Sequence, residues 1–286
     1  MHDAGSSVAR CPRVGATYEG GDPALLERLL EVVDYIEVTP DSLAIGAGED
    51  AAIVPAILEE LHAAAEEVSV VAHGVGLSIG SASGWNTDYL RLLDELVEAV
   101  PLDWHSEHLA YTFVDGEPLG TMLTLPRTEE ALELVCERVA ELQRRYGIPF
   151  LLENVTRLLP DADGDYDEAS FLNELCGRSG CGLVLDLYNL ECDAHNHGFD
   201  IDGFIQALSL GAVHELHVAG GVELDGMKLD VHSRGVQAST VALAERAASV
   251  APDVWGATYE VLKAAVPVLG HDTIVGEVTR LSAALS

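Results

Sequence analysis

Basic side chains are scarce in this chain, and their scarcity limits what the protein can bind. Its 286 residues contain 48 Asp and Glu but only 15 Lys and Arg, which gives a formal net charge of −33. Lys228 and Lys263 are the only lysines. A surface this acidic repels nucleic acid and anionic membranes, so we expect neither as a partner. Such a charge is typical of a protein that stays soluble in a salt-rich, halophilic-type cytoplasm.

Long hydrophobic runs and paired cysteines are absent as well. No apolar run reaches the length of about 18 residues that indicates a membrane span. The first twenty residues lack the basic start and apolar middle of a signal peptide. The five cysteines form no CxxC pair, and their odd number argues against a disulfide framework. We therefore expect a cytoplasmic protein whose thiols are small buried side chains.

Eight short apolar or β-branched runs alternate with amphipathic segments along the chain. The runs cover roughly residues 13–18, 34–40, 68–79, 102–112, 149–155, 182–190, 213–221 and 256–262. The intervening segments carry apolar residues at three- and four-residue spacing, and Thr128 and Gly147 are the expected caps of one such helix. This alternation predicts an α/β fold, a single (β/α)8 TIM barrel over residues 1–286. A doubly wound sheet is less favoured, because no GxGxxG or P-loop motif lies between a strand and a helix.

Polar residues cluster near the ends of strands three to eight, where TIM barrels build their active sites. They are His73, His108, Glu153, Asp186, Asn189, His217, Asp230, His232 and Glu260, of which Asp230 and His232 belong to the loop after strand seven. Basic partners for the four carboxylates are scarce, and unpaired carboxylates that converge repel each other strongly. A bound cation removes that repulsion. Mixed imidazole and carboxylate ligands favour Zn, Mn or Fe, and this many ligands predict two or three ions with bridging carboxylates.

Strand alternation separates neighbouring polar residues, because successive side chains point to opposite faces. It places His217 on one face of the seventh strand and His214 on the other. In the fourth strand it separates His108 from His105 and Glu107. We expect His108 and His217 to point into the barrel.

The segment HNHG at residues 195 to 198 allows two interpretations. In the first, His197 lies over the metals as a ligand or hydrogen-bond donor, which makes it the candidate catalytic residue. In the second, the asparagine and the glycine simply build a turn.

Several motifs together resemble the DUF692 family, the multinuclear non-heme iron-dependent oxidative enzymes within the xylose-isomerase-like barrel superfamily. They are HGVGLSIGS at 73–81, SEHLAY at 106–111, LLENV at 151–155, GLVLDLYNL and NHGFD within 182–200, ELHVAGG at 215–221 and DVHSRGV at 230–236. The resemblance extends from about residue 13 to the C-terminus. It implies two or three iron ions in mixed Fe(II)/Fe(III) states that activate dioxygen. It also implies a peptide substrate, typically a cysteine of a ribosomally made precursor peptide, often with a separate peptide-recognition protein.

Carried over to this sequence, the resemblance implies that the nine strand-end residues named above are metal ligands. Asn189 stands where endonuclease-like relatives typically have a histidine, which favours the oxidative family. The chain departs from the family at Gly221, where the family often has a histidine, and it lacks the acidic residue that often follows Glu260 closely.

Two other functions remain open. The same barrel supports a redox-neutral isomerase, epimerase or phosphodiesterase that uses Zn or Mn, and anaerobic activity with those metals would favour this class. A non-enzymatic metal-dependent scaffold or peptide-binding module is the third hypothesis.

Overall fold

Eight parallel strands form a closed barrel in the computed structural model, which describes residues 11–159 and 164–286. The strands are β1 Arg13–Thr17, β2 Tyr35–Val38, β3 Ser69–Gly74, β4 His105–His108, β5 Phe150–Glu153, β6 Gly182–Asp186, β7 Val213–Val218 and β8 Gly256–Tyr259. Each strand pairs with the next, and β8 pairs with β1 to close the barrel. The predicted TIM barrel is confirmed.

The described residues include ten α-helices that connect or follow these strands. They are α1 Pro23–Leu30, α2 Pro55–Ala65, α3 Thr87–Ala99, α4 Glu129–Tyr146, α5 Glu168–Ser179, α6 Leu187–His197, α7 Ile201–Ala207, α8 Ala238–Val250, α9 Val266–Leu269 and α10 His271–Ala284. Helix α4 has the predicted caps. The Thr128 side chain accepts a hydrogen bond from the Ala131 amide, and Gly147 ends the helix in the left-handed conformation.

Three hairpins extend the loops that follow β2, β4 and β7. The first pairs Ala44–Ile45 with Ala52–Ile53, the second Ala110–Val114 with Glu117–Thr124, and the third Val222–Leu224 with Met227–Leu229. We call the last two the 110–124 hairpin and the 222–229 hairpin. Asp225 and Gly226 both have positive φ, as a tight Asp-Gly turn requires. All three hairpins lie on the carboxyl side of the barrel, above the ends of the strands.

All eight predicted strands end earlier than the sequence indicates, and the third already ends at Gly74 instead of residue 79. The run at 182–190 is strand only as far as Asp186, because Asp186 caps helix α6 by accepting a hydrogen bond from the Asn189 amide. Apolar periodicity alone does not separate a short buried strand from a buried helical turn. The run at 102–112 likewise stops at His108, and Ala110 begins the 110–124 hairpin. Asn189 therefore lies in the first turn of a helix and not on a strand.

A buried polar layer lies inside the barrel. The Glu215 carboxylate is fully buried and accepts hydrogen bonds from the Trp104 indole at 2.6 Å, the Thr258 hydroxyl at 2.8 Å and the Tyr35 hydroxyl at 3.1 Å. Both carboxylate oxygens are thus satisfied by neutral donors, as a buried charge requires. Glu215 needs no metal ion to explain its burial.

Candidate metal centre

One carboxylate oxygen lies at the centre of the polar cluster in the barrel mouth. Glu153 Oε2 is 2.8 Å from His73 Nε2, 3.5 Å from His108 Nε2 and 3.8 Å from His217 Nδ1. These side chains come from β5, β3, β4 and β7, so four strand ends meet at this oxygen. The geometry follows from the barrel, in which parallel strands deliver their carboxyl ends to one face.

A second set of ligand-type atoms continues from this oxygen toward β8 and the loop after β7. Glu260 Oε2 is 3.2 Å from His217 Nδ1 and 3.7 Å from His232 Nε2, and His232 Nε2 is 2.8 Å from Asp230 Oδ1. Asp186 joins Glu153, His217 and Glu260 in a group whose ligand atoms lie within 4.8 Å of one another. The chain therefore brings together the carboxylates that the sequence analysis selected.

Three groups of ligand atoms in the described residues meet this 4.8 Å limit. They are Glu37–His73–His217, His73–His108–Glu153 and Glu153–Asp186–His217–Glu260. Glu153, His73 and His217 each occur in two groups. Shared residues of this kind allow adjacent ions, with a carboxylate between them. The cluster can bind more than one metal ion.

Asn189 reaches the same cluster from helix α6. Its Nδ2 donates to Glu153 Oε1 at 3.2 Å and to the Asn154 carbonyl at 3.1 Å. Asn154 in turn clamps Asp186, donating to its carbonyl at 3.1 Å and accepting from its amide at 2.8 Å. The ends of β5 and β6 are thereby held together. The Asn189 amide nitrogen is used, and its Oδ1 remains available.

Most buried side-chain atoms without a hydrogen-bond partner in the described residues belong to this cluster. They are Glu37 Oε1, His73 Nε2, Glu153 Oε2, Asp186 Oδ2, Asn189 Oδ1, His217 Nδ1, Asp230 Oδ1, His232 Nε2 and Glu260 Oε2. Burial of such atoms without partners is costly. His73 Nε2 and Glu153 Oε2 are only 2.8 Å apart and still form no hydrogen bond. The donor set and its unused electron pairs fit bound metal ions.

Hydrogen bonds at Nδ1 of His73 and of His108 explain why Nε2 of each ring carries no proton. His108 Nδ1 is 2.8 Å from the Gly74 carbonyl, which only accepts, so Nδ1 carries the proton. The Ser106 hydroxyl donates to the Ala72 carbonyl at 3.3 Å and therefore accepts from His73 Nδ1 at 2.8 Å. Both imidazoles consequently present a lone pair on Nε2 toward Glu153. Such outer hydrogen bonds orient metal-binding histidines in proteins.

Burial and crowding of like charges change the acidity of the carboxyl groups. Burial raises the pKa of Glu153 to about 7, although the imidazoles of His108 and His217 act in the opposite direction. Burial also raises the pKa of Asp186 well above its usual range, with a further contribution from the carboxylate of Asp230. In the absence of a cation, these groups hold protons at a pH where ordinary carboxyls are ionised.

Glu37 on β2 belongs to the cluster, and the sequence analysis missed it. Its side chain is fully buried, and Oε2 is 3.1 Å from His217 Nε2. The predicted site residues all come from strands three to eight and the segments that follow them. The available signal was an acidic residue inside the apolar run YIEV, on the same strand face as Tyr35.

His197 lies apart from the nine predicted ligands. It is the last residue of helix α6, it is exposed, and its Nε2 is 2.9 Å from the Arg157 carbonyl. It occurs in none of the three groups of ligand atoms. Gly198 follows in the left-handed conformation and ends the helix, so the glycine builds a helix terminus.

The outward-facing histidines lie where strand alternation predicts. His105 Nε2 is 2.8 Å from Glu107 on the outer side of β4, and its ring packs against Phe150. The His214 ring stacks on Trp255 with 4.0 Å between the ring centroids. Neither histidine occurs in the groups of ligand atoms among the described residues.

Gly221 has a local structural explanation. A Cβ atom there would lie 2.0 Å from the Leu229 carbonyl oxygen and 2.8 Å from the Tyr188 ring. Leu229 belongs to the 222–229 hairpin, which folds back over this position. The backbone as it stands therefore has no room for the histidine that the family often carries.

The eight-stranded parallel barrel is a TIM barrel with the fold of the xylose-isomerase-like proteins, and the imidazoles and carboxylates that converge in its mouth are of the kinds that bind metal ions. Residues 21–265 match the family described as "RiPP precursor modification enzyme MbnB/TglH/ChrH". The chain belongs to this family, which confirms the resemblance to DUF692 and makes it a member of an enzyme family.

Individual relatives agree with this assignment. A "UPF0276 protein" of Caulobacter vibrioides is 36% identical over 225 residues, which cover 79% of this chain and 78% of the relative. Among solved structures, the IOLI protein with a bound zinc atom has a TM-score of 0.61 at 14% identity and covers 96% of this chain and 97% of its own. D-psicose 3-epimerase from Clostridium cellulolyticum H10 has a TM-score of 0.55 at 14% identity, with 96% of each chain covered. The two structures share the fold.

Helices able to span a bilayer are missing from the described part of the chain, since none is both long and apolar enough.

Proposed function

We propose that this protein is a multinuclear non-heme iron enzyme that uses dioxygen to oxidise a side chain of a peptide. The expected target is a cysteine of a ribosomally made precursor peptide. The observation that carries the proposal is the oxygen of Glu153 shared by three imidazoles, within a cluster of buried atoms that have no other partner. Membership of the precursor-modification family supports the peptide substrate.

The proposed ligands divide into an inner and an outer part. His73, His108, Glu153, Asp186, His217 and Glu260 would hold the inner ions. Asp230 and His232 would add ligands on the more exposed side, and Asn189 would offer the Oδ1 that has no hydrogen-bond partner. Bound iron would supply the electron transfer between the peptide, which is oxidised, and dioxygen, which is reduced. The protein itself would bind the peptide, orient it and limit the access of water. Asp186 and His217 are fully buried and exclude water, whereas the His232 and Asp230 side chains are 16% and 13% exposed. Substrate therefore approaches from the outer part.

The exposed apolar side chains around the barrel mouth favour a ligand larger than a sugar. Ten large hydrophobic side chains are exposed in the described residues, and eight of them lie in segments between a barrel strand and the next helix. We call these eight the apolar rim: Ile45, Val114, Leu119, Leu158, Leu159, Leu224, Met227 and Leu262. Exposed apolar groups concentrated on one face indicate an interaction site.

A groove on this face is large enough for an extended peptide, which favours a peptide substrate. It encloses about 1000 Å³ between the residues after β2 and β3 and the 110–124 hairpin. Its walls include Asp41, Gly76, Trp85, Phe113 and Met122. The groove and the apolar rim together offer surface both for the peptide and for the separate peptide-recognition protein that we propose as a partner.

Oxygen consumption by the iron-loaded protein tests the proposed function. Anaerobically purified protein is loaded with Fe(II) and exposed to oxygen with cysteine-containing peptides, and serine-substituted copies serve as controls. We expect oxygen uptake and a mass change only with the cysteine peptides. A protein that carries stoichiometric zinc and isomerises or hydrolyses its substrate without oxygen would contradict the proposal and support the redox-neutral alternative.

The apolar rim gives a prediction that separates peptide binding from metal binding. Replacement of both Leu224 and Met227 by Asp is expected to raise the KM for the peptide about tenfold, which corresponds to about 1.4 kcal/mol of lost binding. Metal content should not change, because both side chains lie on the exposed 222–229 hairpin. Val250→Asp is the matched control, since Val250 is also exposed but ends helix α8 at the opposite end of the barrel. An equal effect of both changes would argue against a role of the rim.

A further inference from the structure

His217 is the histidine whose two ring nitrogens face different carboxylates. The residue is fully buried. Its Nδ1 is 3.2 Å from Glu260 Oε2 and 3.8 Å from Glu153 Oε2 and forms no hydrogen bond. Its Nε2 is 3.1 Å from Glu37 Oε2. One nitrogen thus faces the carboxylates of the proposed metal centre, and the other faces β2.

The contact with Glu37 crosses the interior of the barrel. Strands β2 and β7 are not neighbours in the barrel order, and the two residues are 180 positions apart in sequence. A carboxylate oxygen accepts, so the Nε2 of a neutral His217 carries the proton and Nδ1 carries the lone pair. A metal-binding histidine is commonly oriented by such an outer carboxylate.

We propose that Glu37 is a positioning residue of the metal centre and not one of its ligands. It accepts the Nε2 proton of His217 and thereby directs Nδ1 at the ion held by Glu153, Asp186 and Glu260. The inference rests on the proposed metal centre, but not on the reaction that the metals perform. It assigns a role to a residue for which the sequence motifs give none.

Glu37 Oε1 has no hydrogen-bond partner, but the histidine nitrogens around Glu37 argue against an ion bound directly to it. Such an ion would need nitrogens from His73 and His217, which complete the group within 4.8 Å. However, His73 Nδ1 is bonded to Ser106, and its Nε2 already faces Glu153 at 2.8 Å. A neutral imidazole has only one lone-pair nitrogen. An ion on His217 Nδ1 therefore excludes a second ion on the Nε2 that faces Glu37.

Glu215, the other carboxylate near His217 Nε2, is not an alternative acceptor. Its Oε1 is 3.7 Å from that nitrogen, beyond hydrogen-bond distance. Its oxygens accept instead from Trp104, Tyr35 and Thr258. Glu37 is the only carboxylate within hydrogen-bond distance of His217 Nε2 among the described residues.

Metal titration of two Glu37 variants tests the proposal. Glu37→Ala removes the acceptor, and Glu37→Gln keeps an oxygen of the same shape without the charge. Binding of Mn(II) and Co(II) is measured by chelator competition, together with the number of ions per chain at saturation. We expect an unchanged number of ions and an affinity for one ion that is about 10–100-fold weaker in Glu37→Ala, with a smaller loss in Glu37→Gln.

Glu107→Gln is the matched control, because Glu107 is also buried and also contacts a histidine, but on the outer side of β4. Its affinity for both metals should equal that of the unmodified protein. In the diamagnetic zinc-loaded protein, nitrogen NMR should find the His217 proton on Nε2, and this signal should shift in Glu37→Ala. If Glu37→Ala fails to fold, Glu37→Gln carries the test.

Loss of a whole ion in either Glu37 variant would make Glu37 a ligand and overturn the proposal. Unchanged affinity together with an unchanged His217 signal would also overturn it. If the unmodified protein binds no Mn(II), Co(II) or Zn(II), the metal centre itself fails. Tight metal binding without oxygen consumption would contradict the proposed function and leave the role of Glu37 standing.

Discussion

Glu153→Gln is expected to remove more than one metal ion per chain. Glu153 Oε2 approaches the nitrogens of three imidazoles, and Glu153 belongs to two of the three groups of ligand atoms. Glutamine keeps the shape of the side chain but replaces a shared anionic oxygen with a neutral amide. If Glu153 is a ligand of two ions, the neutral amide would weaken the binding of both. Metal analysis after saturation with Fe(II), Mn(II) or Zn(II) measures the effect, and oxygen consumption should fall below detection.

Although Glu153→Gln should weaken metal binding, it should stabilise the protein when no metal is bound. Burial raises the pKa of Glu153 to about 7, so ionisation of this group above that pH works against folding. In chelator-treated protein at pH 8, Glu153→Gln is therefore expected to raise the free energy of unfolding. Glu107→Gln serves again as the control. Full metal content in Glu153→Gln would show that Glu153 is not a ligand shared by two ions.

Strand alternation and barrel geometry explain why the predicted site residues converge in the barrel mouth. Parallel strands deliver their carboxyl ends to one face, so residues such as His73, His108 and His217 converge although they are far apart in sequence. Alternation then separates His108 from His105 without any tertiary information. These rules depend on local spacing and on a fold that the eightfold repeat already indicates.

The position of Asn189 shows the limit of local patterns. Apolar residues surround it on both sides, so the sequence favours a continuing strand, whereas the Asp186 side chain caps a helix that begins at Leu187. The helical turn carries Asn189 back toward β5, where it donates to Glu153 and to the Asn154 carbonyl. Periodicity predicts which residues are buried. It does not predict that one carboxylate both caps a helix and offers its second oxygen to the site.

Glu37 illustrates a different limit. Its partner His217 lies 180 residues away on a strand that is not its neighbour. Nothing in the run YIEV specifies that contact, which depends on the width of the closed barrel and on the side chains that fill it. A charged residue inside an apolar strand is nevertheless a signal, because burial of a carboxylate requires a partner. The acidic residue of the second strand was therefore a detectable candidate for the site.

Chelation is expected to destabilise the protein by several kcal/mol. A ligand that binds only the folded state stabilises it by about 4 kcal/mol when its free concentration is 1,000 times Kd. More than one ion multiplies this contribution, so removal of all ions should lower the unfolding temperature strongly. Denaturant unfolding of metal-loaded and chelated protein at equal ionic strength measures the difference. Equal stability of the two forms would contradict a structural contribution of the metals.

The stability difference between metal-loaded and chelated protein should depend on pH in a definite direction. The pKa of Glu153 is raised in the folded state, so the metal-free protein loses stability as the pH rises from about 4.5 to about 7. Burial alone would lower the pKa of His217, but the carboxylates of Glu260 and Glu37 outweigh it and raise the pKa. Stabilisation from a protonated His217 is likewise lost as the pH rises through its folded pKa. Bound metal replaces these protons, because ligands bind it in their deprotonated forms. The stability gap between loaded and chelated protein should therefore widen from pH 5 to pH 8, and a constant gap would show that these groups do not face the ions.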